Sequence, residues 1–100
     1  MTSLTDLAAL TAEDFSARMA QPVHVSADGE TMALRITDVA HRGQSERPGG
    51  AFSVVFRGPK SPVIDQAIHR VEFDGEEAID LFLVPIGEDA QGVLYEAVFA

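Results

Sequence analysis

The side chains of this sequence most able to do chemistry are carboxylates, and they concentrate in its C-terminal third. From Val71 onward the chain has eight acids and neither lysine nor arginine, while its net charge over 100 residues is −9. Those acids are Glu72, Asp74, Glu76, Glu77, Asp80, Glu88, Asp89 and Glu96. The four from position 74 to position 80 surround a predicted turn, but they lack the ligand spacing and length of an EF-hand calcium loop. The pattern therefore favours a solvated acidic hairpin, and we predict no metal site.

Other catalytic chemistry has little support. The histidines His24, His41 and His69 are far apart in sequence, and a zinc site would need them to converge. Ser45 and Ser61 have no nucleophile-elbow context. The absence of cysteine excludes disulfides, thiolate nucleophiles and cysteine–metal sites. We predict no catalytic residue and no cofactor, and the chain is not expected to be an enzyme.

The acids are better suited to binding. A negative surface repels phosphate backbones and anionic lipids, so we predict neither a nucleic-acid nor a membrane partner. The acidic turns at residues 74–77 and 88–91 flank the most apolar strand, so an interaction surface is sought there first. We predict that it comprises Asp74, Glu76, Glu77, Glu88 and Asp89 and faces a protein partner, one whose surface is basic if the charge matters.

Two predicted strands, residues 78–86 and 93–99, must position these acids, with a turn at residues 87–92 between them. The first strand is apolar on alternate positions of both faces, with Ile79, Leu81 and Leu83 against Phe82, Val84 and Ile86. A strand of this kind is typically central in its sheet and covered on both sides.

The rest of the chain supplies one helix and four more strands. Thr11 as N-cap, with acids in the first turn, begins a helix predicted for residues 11–20 after a lead-in at 1–10, and Pro22 ends it. Period-two alternation predicts strands at residues 23–26, 31–39, 52–57 and 67–73. Asp-Gly pairs at 28–29 and 74–75 predict hairpin turns, and residues 41–50 predict a loop.

These elements predict a mainly β fold in a single domain spanning residues 1–100. Nothing between the strands is long enough to make helical crossovers, so the sheet formed by residues 22–100 is expected to be antiparallel. Six strands of this kind form either a small barrel or a two-layer roll, with the short N-terminal helix over an open end or face.

Four stretches together carry a family resemblance. They are Leu-Thr-Ala-Glu-Asp-Phe at 10–15, Phe-Ser-Val-Val-Phe-Arg-Gly-Pro at 52–59, Leu-Phe-Leu-Val-Pro-Ile-Gly at 81–87 and Tyr-Glu-Ala-Val-Phe at 95–99. The sequence resembles a family of bacterial proteins of about this length, known only as a domain of unknown function. The resemblance implies a stand-alone domain and an association with phage-tail or tail-collar-like genes. It implies no catalytic residue.

The leading functional expectation is a non-enzymatic structural or interaction protein, an accessory of a phage-tail-like or secreted assembly that works through an exposed strand edge or the acidic hairpins. Two alternatives stay open, a small acidic inhibitor that mimics nucleic acid and a small-molecule-binding barrel. The N-terminus lacks the basic start of a signal peptide, so a cytoplasmic location or a place in a bacterial assembly is expected.

Overall fold

The computed structural model describes residues 10–27, 29–43, 50–61, 63–73, 75–76 and 78–99. These residues form one short helix and six antiparallel strands that close into a barrel in the order β1-β2-β3-β6-β5-β4. The elements are α1 Ala12–Ser16, β1 Val23–Ala27, β2 Glu30–His41, β3 Phe52–Gly58, β4 Ala67–Phe73, β5 Ile79–Asp89 and β6 Gly92–Phe99. The predicted mainly β, six-stranded antiparallel fold is confirmed, and of its two forms the chain adopts the barrel.

Pairing of β1 with β4 closes the barrel. Val25 of β1 lies opposite Met32 of β2 on one side and opposite Val71 of β4 on the other. Each strand therefore has two hydrogen-bonded neighbours, so none of the described strands is left as a sheet edge for another chain to extend. No helix in the described part of the chain is long and apolar enough to cross a membrane.

The interior of the barrel is filled by the inward side chains of all six strands. They form one cluster with residues of the N-terminal segment and of the β3–β4 connection. Its members are Leu10, Ala12, Phe15, Val23, Val25, Met32, Leu34, Ile36, Phe52, Val54, Phe56, Ile64, Val71, Phe73, Ile79, Leu81, Leu83, Val93, Tyr95 and Ala97. The alternation predicted for residues 31–39, 52–57 and 67–73 is confirmed by this burial.

Helix α1 closes one end of the barrel with Phe15. Its ring centroid lies 5.8 Å from that of Phe52, 6.0 Å from that of Phe73 and 5.4 Å from that of Phe99, residues that begin or end three different strands. Rings at these distances and tilts pack favourably. Phe15 is fully buried, so the helix contributes to the core rather than merely leading into it.

The helix is shorter than predicted. The Thr11 hydroxyl accepts from the Asp14 N–H, and an Asp14 carboxylate oxygen accepts from the Thr11 N–H at 2.8 Å, so the predicted cap forms a complete capping box. The helix nevertheless ends at Ser16, and the prediction of a helix over 11–20 is wrong beyond that residue. From Arg18 onward the backbone N–H groups bond three residues back rather than four, which tightens the chain into turns before Pro22.

The turn between β5 and β6 is tighter than the predicted 87–92. β5 continues to Asp89, and the two-residue turn Ala90-Gln91 leads directly into Gly92. One oxygen of the Asp89 carboxylate accepts from the N–H groups of Gln91 at 2.9 Å and Gly92 at 3.0 Å. The Asp89 side chain therefore holds the turn, since an aspartate commonly accepts a hydrogen bond from the backbone N–H two residues further along the chain.

The expectation that β5 is covered on both faces is wrong. Ile79, Leu81 and Leu83 are buried, whereas the side chain positions between them face outward. Phe82 is 51% exposed and Ile86 is 50% exposed, the latter at a register shift between Pro85 and Gly87. In a barrel every strand has one interior face, so a strand apolar on both faces must leave one of them on the outside.

The predicted turns and loop have mixed outcomes. Gly29 and Gly75 adopt positive φ values of 80° and 77°, as hairpin turns at these sites require. Their partners Asp28 and Asp74 lie outside the described residues. β2 continues to His41, and residues 44–49 of the predicted loop also lie outside the described part.

Tyr95 fixes the long connection between β3 and β4. Its ring lies in the core, and its hydroxyl oxygen accepts a hydrogen bond of 3.0 Å from the backbone N–H of Ile64. The hydroxyl of this otherwise apolar inward position of β6 thereby holds Ile64 against the cluster.

Gly92 supplies a first prediction, because an ideal Cβ there would lie 1.9 Å from the carbonyl oxygen of Gly58. We expect Gly92→Ala to lower the free energy of unfolding by about 2–3 kcal/mol, since β3 and β6 would have to separate. Gly87→Ala is the matched control, because its φ of 155° is close to the 159° of Gly92 but no atom lies within 4 Å of its Cβ position. Urea denaturation measures both variants, and equal losses would contradict the steric explanation.

Candidate functional site

The outer wall of the barrel carries two large apolar side chains side by side. Ile68 of β4 and Phe82 of β5 are direct cross-strand partners, and they are 69% and 51% exposed. Their neighbours along each strand point inward, so the alternation that builds the core also places this pair outside. Cross-strand partners on one face lie in contact range, so the two side chains form a single apolar surface.

Val98 of β6 extends this surface. In the register of β5 and β6, Val84 lies opposite Glu96. Phe82 lies two residues before Val84, and Val98 lies two residues after Glu96. Because antiparallel strands run in opposite directions, both steps lead the same way along the wall. Val98 is 51% exposed, so Ile68, Phe82 and Val98 form what we call the outer-wall patch.

Charged groups around the outer-wall patch are balanced. Arg70 and Asp80 are cross-strand partners next to Ile68 and Phe82 on their strands. Glu96, next to Val98, lies 3.9 Å from the guanidinium of Arg42. The patch is therefore an apolar centre with opposite charges at its rim, which is the usual anatomy of a protein interface.

Glu76, one of the five predicted site residues, has a partner within the chain. Its carboxylate accepts two hydrogen bonds of 2.7 Å from Nε and Nη2 of Arg18, whose Nη1 also donates to the carbonyl oxygen of Asp14. The Arg18 guanidinium lies 5.9 Å from the ring centroid of Phe73. Hydrogen bonding to Arg18 lowers the pKa of Glu76, and bonding to Glu76 raises that of Arg18. This bidentate pair fastens the segment after α1 to the β4–β5 hairpin.

Asp89 is also engaged within the chain. Nε and Nη2 of Arg57 donate to one of its oxygens at 3.1 and 2.6 Å, while its other oxygen holds the β5–β6 turn. The hydrogen bonds from Arg57, followed by those from the turn backbone, lower the pKa of Asp89. Both carboxylates therefore have structural roles that the sequence reading did not assign.

The residues of the predicted acidic site that the structure describes do not share one surface. Glu88 is exposed at the end of β5, and Asp74 and Glu77 lie outside the described residues. Glu76 lies before the start of β5 and Glu88 at its other end. The eleven residues of β5 span about 30 Å at the usual rise per residue, so the two acidic turns are far apart.

The three histidines have separate surroundings. His69 is buried in β4, with Nε2 2.7 Å from the carbonyl oxygen of Asp65, whereas His24 is half-buried in β1 and His41 is exposed at the end of β2. Within the described ranges, no three histidine, aspartate or glutamate side chains are grouped so that they could hold a metal ion.

Comparison with known proteins gives the family. The model of the family described as Domain of unknown function (DUF6916) matches residues 10–99. The chain belongs to this family. The resemblance to a domain of unknown function seen in the sequence is thus confirmed, and the match spans every strand of the DUF6916 barrel. No curated protein and no solved structure matches the chain.

The outer-wall patch of this DUF6916 domain was missed in the sequence because β5 is apolar on both faces, so the position of Phe82 does not reveal whether it lies inside or outside. Ile68 shares its face of β4 with Arg70 and Glu72, so the alternation places it outside, but a single exposed isoleucine does not by itself indicate a patch. The signal that could have found the pair is the adjacency of predicted β4 and β5 through the Asp-Gly turn, which makes Ile68 and Phe82 partners once the register is fixed.

The Arg18–Glu76 pair supplies a second prediction. We expect Glu76→Gln to lower the free energy of unfolding by about 2 kcal/mol at neutral pH, because a bidentate charged hydrogen bond is lost. The folded-state pKa of Glu76 is lowered from its ordinary value of 4.5, so its stabilisation is complete above that value. It disappears as the pH falls through the lowered pKa.

Urea denaturation at a series of pH values tests this dependence. The difference between wild type and Glu76→Gln should be largest at neutral pH and vanish in acid. Glu72→Gln is the matched control, since Glu72 is exposed and makes no ion pair with any residue that the structure describes. A Glu76→Gln difference that grows on acidification would contradict the assignment.

Proposed function

We propose that this domain is a non-enzymatic protein-interaction module that binds a partner protein through the outer-wall patch. The observation that carries the proposal is the direct pairing of Ile68 with Phe82 at 69% and 51% exposure. Side chains of this size each gain about 1.5–3 kcal/mol on full burial. Aromatic residues in an apolar centre are also the usual anchors of protein interfaces.

The partner has an apolar contact surface and carries net positive charge. The charges at the rim of the patch largely cancel, so apolar contact supplies most of the affinity. The net charge of −9 acts at longer range and favours encounter with a basic protein over an acidic one. Binding should therefore change little at raised salt once the complex has formed.

The setting that we propose is a bacterial assembly of the phage-tail-like or secreted kind, in which the domain is an accessory subunit. The support is the resemblance carried by residues 10–15, 52–59, 81–87 and 95–99. Location in the cytoplasm or within such an assembly belongs to the same proposal.

The two alternative functions find less support in the geometry. A nucleic-acid mimic needs free carboxylates along one face, whereas Glu76 and Asp89 are paired with Arg18 and Arg57. A ligand-binding barrel needs interior space, and the inward side chains of the described strands pack together in one cluster. Interaction through the outer wall requires neither condition.

The third prediction concerns the outer-wall patch. Ile68→Ser combined with Phe82→Ser should weaken partner binding at least about thirtyfold, the effect of about 2 kcal/mol at an interface anchor. Affinity purification from the native host with mass spectrometry identifies the partner, and titration of the purified pair measures the affinity. Folding should persist because both side chains are exposed.

Met19→Ser is the matched control for this experiment. Met19 is 38% exposed and follows α1, which packs beside Phe73 at the opposite end of β4 from Ile68. The control should bind as the wild type does, at low and at high salt. Undiminished binding by the double variant would rule out the outer wall as the interface, and capture of background proteins alone by the wild type would refute the proposed function.

A further inference from the structure

A shallow cleft with a volume of about 490 Å³ lies on a different part of the barrel from the outer-wall patch. Its walls include Pro22, Leu34 and Pro59, and two arginines, Arg35 and Arg57, line it. Ile68, Phe82 and Val98 are not among the residues that line it. An apolar cleft with a few charged groups has the composition of a small-ligand site.

The two arginines are held side by side by the strand register. Arg35 of β2 and Arg57 of β3 are cross-strand partners, a placement that like charges normally disfavour. This placement of the two arginines results from a register shift between Ile36 and Asp38, where β2 has one extra residue relative to β3. Without that extra residue, Arg57 would lie opposite Ile36, whose side chain is inside the barrel, because a one-residue slip exchanges the two faces.

Only one of these two charges is neutralised. Arg57 donates from two nitrogens to Asp89. Arg35 is exposed and donates from Nη1 to the carbonyl oxygen of Ala20 at 3.1 Å, and it forms no ion pair with a carboxylate of the described residues. The chain has 16 acids and only 7 lysines and arginines. Acids are therefore plentiful, and their number does not explain why Arg35 forms no ion pair with a described carboxylate.

We propose that this cleft binds a monocarboxylate with an apolar body, whose carboxylate is held by Arg35. Two arginines and one aspartate leave a single positive charge at the cleft, which matches one negative charge rather than the two of a phosphate. A guanidinium fits a carboxylate through two parallel N–H···O bonds. The apolar walls accommodate the remainder of the ligand. The carboxylate belongs either to a free small acid or to the C-terminus of a peptide, and the proposal is independent of the outer-wall interface.

The fourth prediction is tested by following the backbone amide signals of the ¹⁵N-labelled wild type during titration with phenylacetate. Saturable shifts are expected at Ala33, Arg35, Gly58 and Gln91, which line the cleft, and not at Phe82. Phenylacetamide has the same body without the charge and should leave these signals in place. Equal shifts with both compounds, shifts scattered over the barrel or tighter binding of inorganic phosphate would overturn the proposal.

Variants test the role of the charges. Arg35→Gln should weaken phenylacetate binding about tenfold or more, the effect expected for a lost charged hydrogen bond. Arg42→Gln is the matched control, since Arg42 is exposed, pairs with Glu96 and does not line the cleft. Asp89→Asn should tighten binding, because it releases Arg57 and keeps the oxygen that holds the turn. Unchanged binding by Arg35→Gln, or weaker binding by a folded Asp89→Asn, would contradict the assignment.

A peptide arm distinguishes the two sources of the carboxylate. Gly-Gly-Phe with a free C-terminus is compared with the same peptide amidated. Binding of the free peptide at the cleft more tightly than phenylacetate identifies a chain terminus as the ligand, and the reverse order identifies a small acid. Failure of both carboxylates to shift the cleft signals would overturn the proposal, while the pairing of Ile68 with Phe82 would be unaffected.

Discussion

Hydrogen bonding of β1 to both β2 and β4 is the constraint on which the rest of this structure depends. β1 has only five residues, yet through it the sheet returns on itself and every described strand gains an interior face. Closure places Val25 between Met32 and Val71. It also creates open ends that need apolar covers, and Phe15 covers one of them through its contacts with Phe52, Phe73 and Phe99. The same closure leaves the other face of each strand on the outside, whatever its composition.

Much of this architecture could be predicted because its signals are local. The alternation in residues 31–39, 52–57 and 67–73 is a property of neighbouring side chains, and the Thr11–Asp14 capping box spans four positions. β5 could not be predicted in the same way, since its two apolar faces are equivalent until the neighbouring strands are known. The end of α1 was also missed, because the shift from bonds four residues back to bonds three residues back leaves no marked signal in the sequence before Pro22.

The candidate sites depend on contacts between residues that are distant in sequence. Arg18 and Glu76 are 58 positions apart, and Arg57 and Asp89 are 32 apart. A sequence read for charge alone shows a surplus of acids but not which of them are paired. Two of the five acids predicted to form a binding surface, Glu76 and Asp89, are hydrogen-bonded to arginines within the chain. The cleft at Arg35 likewise depends on one extra residue in β2, which composition and periodicity cannot locate.

The net charge of −9 has a consequence for copies of the chain itself. An outer-wall patch of Ile68, Phe82 and Val98 would ordinarily favour self-association, because apolar patches gain by covering one another. Two identical barrels, however, approach each other with the same excess of negative charge, and this repulsion opposes their contact. The excess of negative charge therefore opposes the covering of the patch by a second copy of the chain. What the composition presents as surplus charge thus works against dimerisation.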